Sequence, residues 1–288
     1  MPLRSLPLRR TRPAMAAALV AGLASGQAAQ AADMPVIQPG PTFTQVDPSL
    51  WVVTLTANVQ ATPSYPGSET YTAIGYPSLA IRRAGTPVRF TAPDDGVSLS
   101  LFDGPNFQFG PTARYVSGRY YGDDRRHLFG LRDARFAIEP GLFLEYYPVA
   151  WLRTRVELRH GVYGHHGFVG TVGADVIQPF GRWQVSLGPR FNFGDESYAR
   201  KYFGVSPIEA AVNGRLTAYR PDSFTTVGAL GALTYVFDER WAATGYVGYN
   251  RIVGSSAGSP LVQRDFGSPN QYTFGMKVNY SFTMPALF

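Results

Sequence analysis

Cysteine is absent from the chain. Disulfides and thiol chemistry are therefore excluded, and the fold must be held by strand pairing and packing, even in a compartment that would permit disulfides. Charge is also sparse. Asp, Glu, Lys and Arg make up 16% of the residues, against roughly 25% in soluble domains. No apolar run reaches the roughly 18 residues that a membrane helix needs. What the chain has instead is 14% aromatic residues and 31 glycines. A chain rich in aromatics and glycine, with no spanning helix, points to an all-β architecture.

Residues 1–31 read as a secretory signal peptide. Arg4, Arg9, Arg10 and Arg12 form a positive start, Ala14 to Ala24 an apolar stretch, and Ala29-Gln30-Ala31 a small-x-small cleavage site. Ala32 is then the first residue of the mature chain. The apolar stretch is too short to anchor, and the lack of a cysteine after it excludes a lipoprotein. The net charge of +6 falls to +2 without the four signal arginines. The basic pI therefore gives no support for nucleic acid as a partner. Residues 32–49 read as a periplasmic linker, because Pro35, Pro39, Pro41 and Pro48 forbid regular structure.

Beyond the linker, over residues 50–288, apolar and polar residues alternate with a period of two, as in a strand with two different faces. In the last strand Tyr272, Phe274, Met276, Val278, Tyr280 and Phe282 share one face, and Thr273, Gly275, Lys277, Asn279 and Ser281 the other. Trp183, Val185, Leu187, Phe191 and Phe193 likewise oppose Gln184, Ser186, Gly188, Arg190 and Asn192. Leu152, Val156 and Leu158 oppose Arg153, Arg155, Glu157 and Arg159. Such strands are longer than the usual 5–6 residues and match the roughly 9–11 of a tilted membrane strand. The expected fold is a transmembrane, antiparallel, up-and-down β-barrel in the outer membrane of a Gram-negative bacterium.

Charge decides which face is which. A charged side chain facing lipid at mid-membrane costs roughly 2–4 kcal/mol, so Arg153, Arg155, Glu157 and Arg159 must line the interior. The apolar face meets lipid, with Trp51, Trp183, Trp241 and strand-end tyrosines at the interfaces. Short and longer connections alternate, which gives twelve strands and puts both termini in the periplasm. The strands are 51–61, 72–83, 87–91, 96–102, 107–118, 134–147, 150–160, 167–178, 182–194, 224–237, 241–254 and 270–282. Those between 87 and 102 are too short to span unaided, and without them the count is ten. One segment breaks the β pattern: Ser206-Pro207-Ile208-Glu209 is a capping box with proline at the first helical position, and predicts a short helix in the 195–223 loop.

The interior charges are Arg114, Glu139, Glu145, Arg153, Arg155, Glu157, Arg159, Asp175, Arg190 and Lys277. They suit either a selective pore or a salt-bridged structural lattice, and the lattice is preferred because enclosed charges are paired. His160, His165 and His166 are expected to be exposed loop residues, since extended chain alternates their sides and no cysteine accompanies them. A barrel esterase needs a serine beside a histidine. Ser197 and Ser206 lie in loops with nothing to fix them there, so no enzyme, cofactor or metal is expected. Asp123, Asp124, Arg125, Arg126 and His127 form either a solvated loop or a contact to lipopolysaccharide phosphates.

Three segments carry a family resemblance. Ser259-Pro260-Leu261-Val262, Tyr202-Phe203-Gly204-Val205-Ser206-Pro207, and Asp123-Asp124-Arg125 with Gly130-Leu131 resemble elements of the MltA-interacting protein (MipA)/OmpV family in order and spacing, over about residues 50–282. The resemblance implies an outer-membrane location and a scaffolding role between murein hydrolase and synthase. Members are also linked to adhesion, stress response and solute passage, and no catalytic residues are implied. Barrels of this type end on an aromatic read by the barrel-assembly machinery. Here the signal is expected in the strand of Tyr272, Phe274, Tyr280 and Phe282, with Phe288 as the alternative; Pro285 argues against extension of the strand beyond Phe282. A narrow passive channel for small solutes is the second functional reading.

Overall fold

The computed structural model describes residues 50–84, 88–263 and 265–285. The expected signal peptide (1–31), the linker (32–49) and Phe288 lie outside the described residues. Twelve strands form one antiparallel sheet. They are β1 (Leu50–Pro63), β2 (Tyr71–Arg83), β3 (Val97–Ser98), β4 (Phe102–Asp103), β5 (Phe107–Val116), β6 (Ala137–Val149), β7 (Leu152–His160), β8 (Phe168–Phe180), β9 (Trp183–Gly194), β10 (Phe224–Val236), β11 (Trp241–Val253) and β12 (Asn270–Pro285). Helices α1 (Glu196–Phe203) and α2 (Pro207–Asn213) lie between β9 and β10. From β5 to β12 chain neighbours are sheet neighbours, and β1 pairs with β12. The sheet thus curls into an up-and-down barrel that is nearly closed, with β2 and β3 as its two ends.

The period-two pattern becomes two faces. Along β9, Gln184, Ser186 and Arg190 are buried, while Trp183, Val185, Leu187 and Phe191 are exposed. So broad an apolar exterior has no place in water and fits a bilayer. Trp51 opens β1, Trp151 precedes β7, Trp183 opens β9 and Trp241 opens β11. These four strands run in the same direction, so all four tryptophans mark the end of the short turns. That end faces the periplasm in barrels of this kind. The β8–β9 turn shows how tight these connections are: Phe180 pairs with Trp183, and Gly181 supplies the positive φ of 59° such a hairpin needs.

Two sequence expectations fail. The first is a strand over 87–91: its described residues, 88–91, are not in a strand. Only the following stretch joins the wall, as β3 and β4, held to β5 also by Leu99 N–H to Pro111 O (3.0 Å) and Leu101 N–H to Phe109 O (3.1 Å). Both β2 and β3–β4 run toward the short turns, so the chain between them must climb back. Residues 90–95 do so inside the barrel, where Phe90 and Ala92 are buried and Asp94 and Asp95 meet arginines of the far wall. Pro93, which has no N–H for a ladder, suits this course. The second failure is the end of β12. It continues past Phe282, with Thr283 paired to Val52, Met284 to Trp51 and Pro285 to Leu50. Pro285 is tolerated because it stands opposite Leu50, the first residue of β1, at the edge of the ladder.

The predicted helix is α2. Ser206 Oγ accepts from Glu209 N–H (3.3 Å), and Glu209 Oε2 accepts from Ser206 N–H (2.8 Å). Helix α1 builds a lid at the long-loop end. Its Tyr198, Ala199, Tyr202 and Phe203 pack against Ala134, Val169, Phe224, Ile252 and Val262. Polar clamps hold it down: Ser259 Oγ donates to Phe203 O (2.6 Å), and Arg119 Nη1 to Tyr202 O (2.9 Å). Val205, Leu216, Leu261 and Phe266 extend the apolar packing.

Candidate functional site

Alternation on β5 to β9 aims every second side chain at the lumen, and the charges collect there. Arg153, on β7, is 1% exposed. Its Nη1 donates to Asp175 Oδ2 on β8 (2.9 Å), and its Nη2 to Glu145 Oε2 on β6 (2.7 Å) and to Asp95 Oδ2 (2.6 Å). Arg155 donates from Nη1 to Glu145 Oε2 (3.0 Å) and from Nε to Glu157 Oε1 (2.9 Å), with its guanidinium 4.2 Å from the centre of the Phe143 ring. Arg159 bridges Glu139 (Nε–Oε2, 3.1 Å) and Glu157. Arg114 reaches Glu157 Oε2 at 3.2 Å. On β9, Arg190 joins Asp175 Oδ1 (2.7 Å) to Asp94 Oδ2 (2.7 Å). All these are charge-assisted bonds, and most are shielded from water, where pairing is what makes burial of charge tolerable.

The structure brings nine of the ten interior charges read from the sequence into this single network. Lys277 stands apart on β12. It makes no ion pair among the described residues and donates to Thr91 O at 3.4 Å. Sequence reasoning missed three members. Asp94 and Asp95 arrive on the inward-climbing segment, and Asp94 O also accepts from Arg114 Nη2 (2.7 Å). The third corrects an expectation: His165 is not an exposed loop residue. It is 3% exposed, and its Nε2 lies 3.0 Å from Glu139 Oε1. Its Nδ1 accepts from Gly167 N–H (3.1 Å), so the proton must sit on Nε2, which then donates to the carboxylate. The ring also packs edge-on against Tyr198 of the lid (5.0 Å), joining lid to lattice. His160 departs from the expectation too: it ends β7, is half-buried and packs on Phe168 (4.6 Å), so of the three only His166 is exposed.

The other sequence candidates separate. In the acidic loop Asp124 and His127 are buried against each other (Oδ2–Nδ1, 2.7 Å), leaving Arg125 and Arg126 exposed. Ser206 caps α2, and among the described residues neither it nor Ser197 is bonded to a histidine. Among the described residues no group of three or more His, Cys, Asp or Glu is placed to hold a metal. Tyr272 and Phe274 face outward on β12, while Tyr280 packs on Trp241 (4.6 Å) and Phe282 on Tyr280 (5.9 Å). Toward the short turns, between lattice members Asp95, Glu145 and Arg155 and the wall of β1 and β12, lies a cavity of about 910 Å³. Thr54, Thr56, Asn58, Lys277, Asn279 and Ser281 form its polar wall.

Residues 55–282 match the family described as MltA-interacting protein MipA. The chain belongs to this family. Membership and the barrel together make it an outer-membrane barrel protein. A search of curated proteins finds no match. Among solved structures, this MipA-family chain is similar to an outer-membrane channel from Pseudomonas putida F1 at 11% identity, covering 85% of this chain and 100% of that one, with a TM-score of 0.42. It is also similar to the outer-membrane channel DcaP of Acinetobacter baumannii at 10% identity, covering 85% and 100%, with a TM-score of 0.33. Likeness at this level says nothing about what the MipA-family chain does.

Proposed function

We propose that this MipA-family barrel is a closed, non-enzymatic scaffold, exported by a cleaved signal peptide and assembled through its last strand. Its short-turn face would meet a murein-remodelling enzyme, a reading supported by the family's description as MltA-interacting, and its exposed Arg125 and Arg126 would touch lipopolysaccharide phosphates. One observation carries the reading: the lumen is stopped twice. The α1 lid covers the long-loop end, and the ion-paired lattice with its inward segment fills the middle. A solute path would have to break both. With β3 and β4 sharing one edge of β5, the wall has eleven staves among the described residues, giving a bore far narrower than the 16–18 of a porin.

The cavity at the short-turn end keeps a second reading, a narrow passive channel, in view. Planar-bilayer recording separates the two. A scaffold gives no steady single-channel steps. Steps that change on substitution of Arg153 or Arg155 would establish the channel instead. Pull-down of murein hydrolases and synthases by the mature barrel tests the scaffold directly, and no capture of either would leave that role without support.

A further inference from the structure

The wall of this barrel has a seam. Among the described residues β2 is paired only with β1, along its whole length from Pro63↔Tyr71 to Trp51↔Arg83. Its other edge, and the outer edge of β3–β4, have no strand partner because the segment that would fill the gap has turned into the lumen. Unpaired backbone N–H and C=O groups at membrane depth are not stable against hydrocarbon. They need a polar occupant or a water-filled space behind them.

The seam leads into the 910 Å³ cavity, whose lining includes both the lumen wall and Leu79, Ile81, Val97 and Leu99 on the seam's outer rim. These four are each 49–66% exposed. Inside, two cations line the same cavity without a carboxylate partner among the described residues. Arg89 donates to the carbonyls of Gly104 (2.6 Å) and Pro105, and Lys277 to that of Thr91 (3.4 Å). Asp95, Asp103, Glu145 and Asp238 also line the cavity, so its interior is a mixed, hydrogen-bonding surface in which Arg89 and Lys277 are cations outside any ion pair among the described residues. With an apolar rim open to the bilayer, it describes the two ends of one kind of molecule.

We propose that the cavity holds the headgroup of an anionic phospholipid drawn from the bilayer through the seam between β2 and β3–β4, its acyl chains lying against Leu79, Ile81, Val97 and Leu99. The phosphodiester meets Arg89 and Lys277, and the lipid's polar oxygens and accompanying water satisfy the open strand edges. This site is independent of any scaffold role.

The test uses the full barrel in nanodiscs of phosphatidylethanolamine with or without phosphatidylglycerol, stripped into detergent and weighed by native mass spectrometry. The intact barrel retains one phosphatidylglycerol in preference to phosphatidylethanolamine. Arg89→Gln and Lys277→Gln each weaken that retention about tenfold, the loss of one charge-assisted contact, while Arg89→Lys keeps most of it. Heat-modifiable migration confirms that each variant is folded. Should Lys277→Gln fail to fold, Arg89→Gln and its lysine rescue carry the test. Equal retention of both lipids, or retention unchanged in the variants, overturns the proposal by making the lipid annular. Displacement by inorganic phosphate as readily as by lipid overturns it in favour of a soluble anion. A lipid-free dimer would assign the seam to a second copy of the chain.

Discussion

Replacing Arg153 by methionine keeps roughly the volume of the side chain and removes its charge. Three carboxylates, Asp95, Glu145 and Asp175, then each lose a partner at 2.6–2.9 Å in a position closed to water. Breaking a buried ion pair from one side costs about 3–5 kcal/mol, because the remaining charge is uncompensated. The three losses do not add. Arg155 still holds Glu145 at 3.0 Å and Asp95 at 3.5 Å, and Arg190 still holds Asp175 at 2.7 Å. A total near the single-pair figure is therefore expected. With roughly 2–4 °C per kcal/mol for a protein of this size, the heat-modification temperature should fall by about 6–20 °C. Adding Asp95→Asn should recover part of the loss, since one of the orphaned charges is gone. Leu158→Ala, on the lipid side of the same strand, should cost far less, because acyl chains fill the space. An Arg153→Met barrel that unfolds at the wild-type temperature, and conducts ions where the wild type does not, would refute the structural role and make these charges pore selectors.

Three further outcomes follow. Asp94→Asn with Asp95→Asn releases the inward segment from Arg190, Arg153 and Arg155, so a single cysteine placed at the buried Ala92 should become reactive to a water-soluble maleimide; continued protection would show that packing around Phe90 alone holds the segment. Phe203→Asp puts a charge into the apolar lid and should let external trypsin cut at Arg200 or Lys201 in whole cells, whereas an uncut chain would mean the lid is held by its loops and not by α1. Burial works against ionisation of Glu209, but hydrogen bonds from Ser206 and the Arg132 N–H outweigh it and hold the carboxyl below the usual carboxylate range. Its contribution is thus complete above the unfolded value of about 4.3 and lost as pH falls through the lower folded value. Amide protection over 207–214 should decline with acid in the wild type and lose that dependence in Glu209→Gln.

Much of the barrel was legible because a membrane wall imposes a strict period. One residue in two must suit lipid, and β7 obeys that rule through Arg153, Arg155, Glu157 and Arg159 inside and Val156 and Leu158 outside. The capping box of α2 was legible for a similar reason: its chemistry lies within four residues. Helix α1 was harder only because its signal was read as loop. Asp195 caps it by accepting from Tyr198 N–H, and Tyr198, Ala199, Tyr202 and Phe203 repeat at the spacing of one helical face. The burial of His165 had no local signal. It depends on the lid coming down over Glu139, a contact between residues 26 apart in sequence that alternation does not encode.

The inward segment is the instructive failure, because charge could have exposed it. Val88-Arg89-Phe90 has the look of strand, and a twelve-strand count needed one there. Yet the interior charges read from the strands comprise six cations, Arg114, Arg153, Arg155, Arg159, Arg190 and Lys277, and four anions, Glu139, Glu145, Glu157 and Asp175. An enclosed, low-dielectric space does not tolerate a surplus of two like charges. Two more carboxylates had to enter the lumen from somewhere. Asp94 and Asp95 are adjacent, flanked by Pro93 and Gly96, and sit beside the two strands that were too short to span. The structure gives up a wall strand to bring them to Arg153, Arg155 and Arg190. The same trade opens the seam between β2 and β3–β4, so the pairing of the lattice arginines and the gap in the wall have one cause.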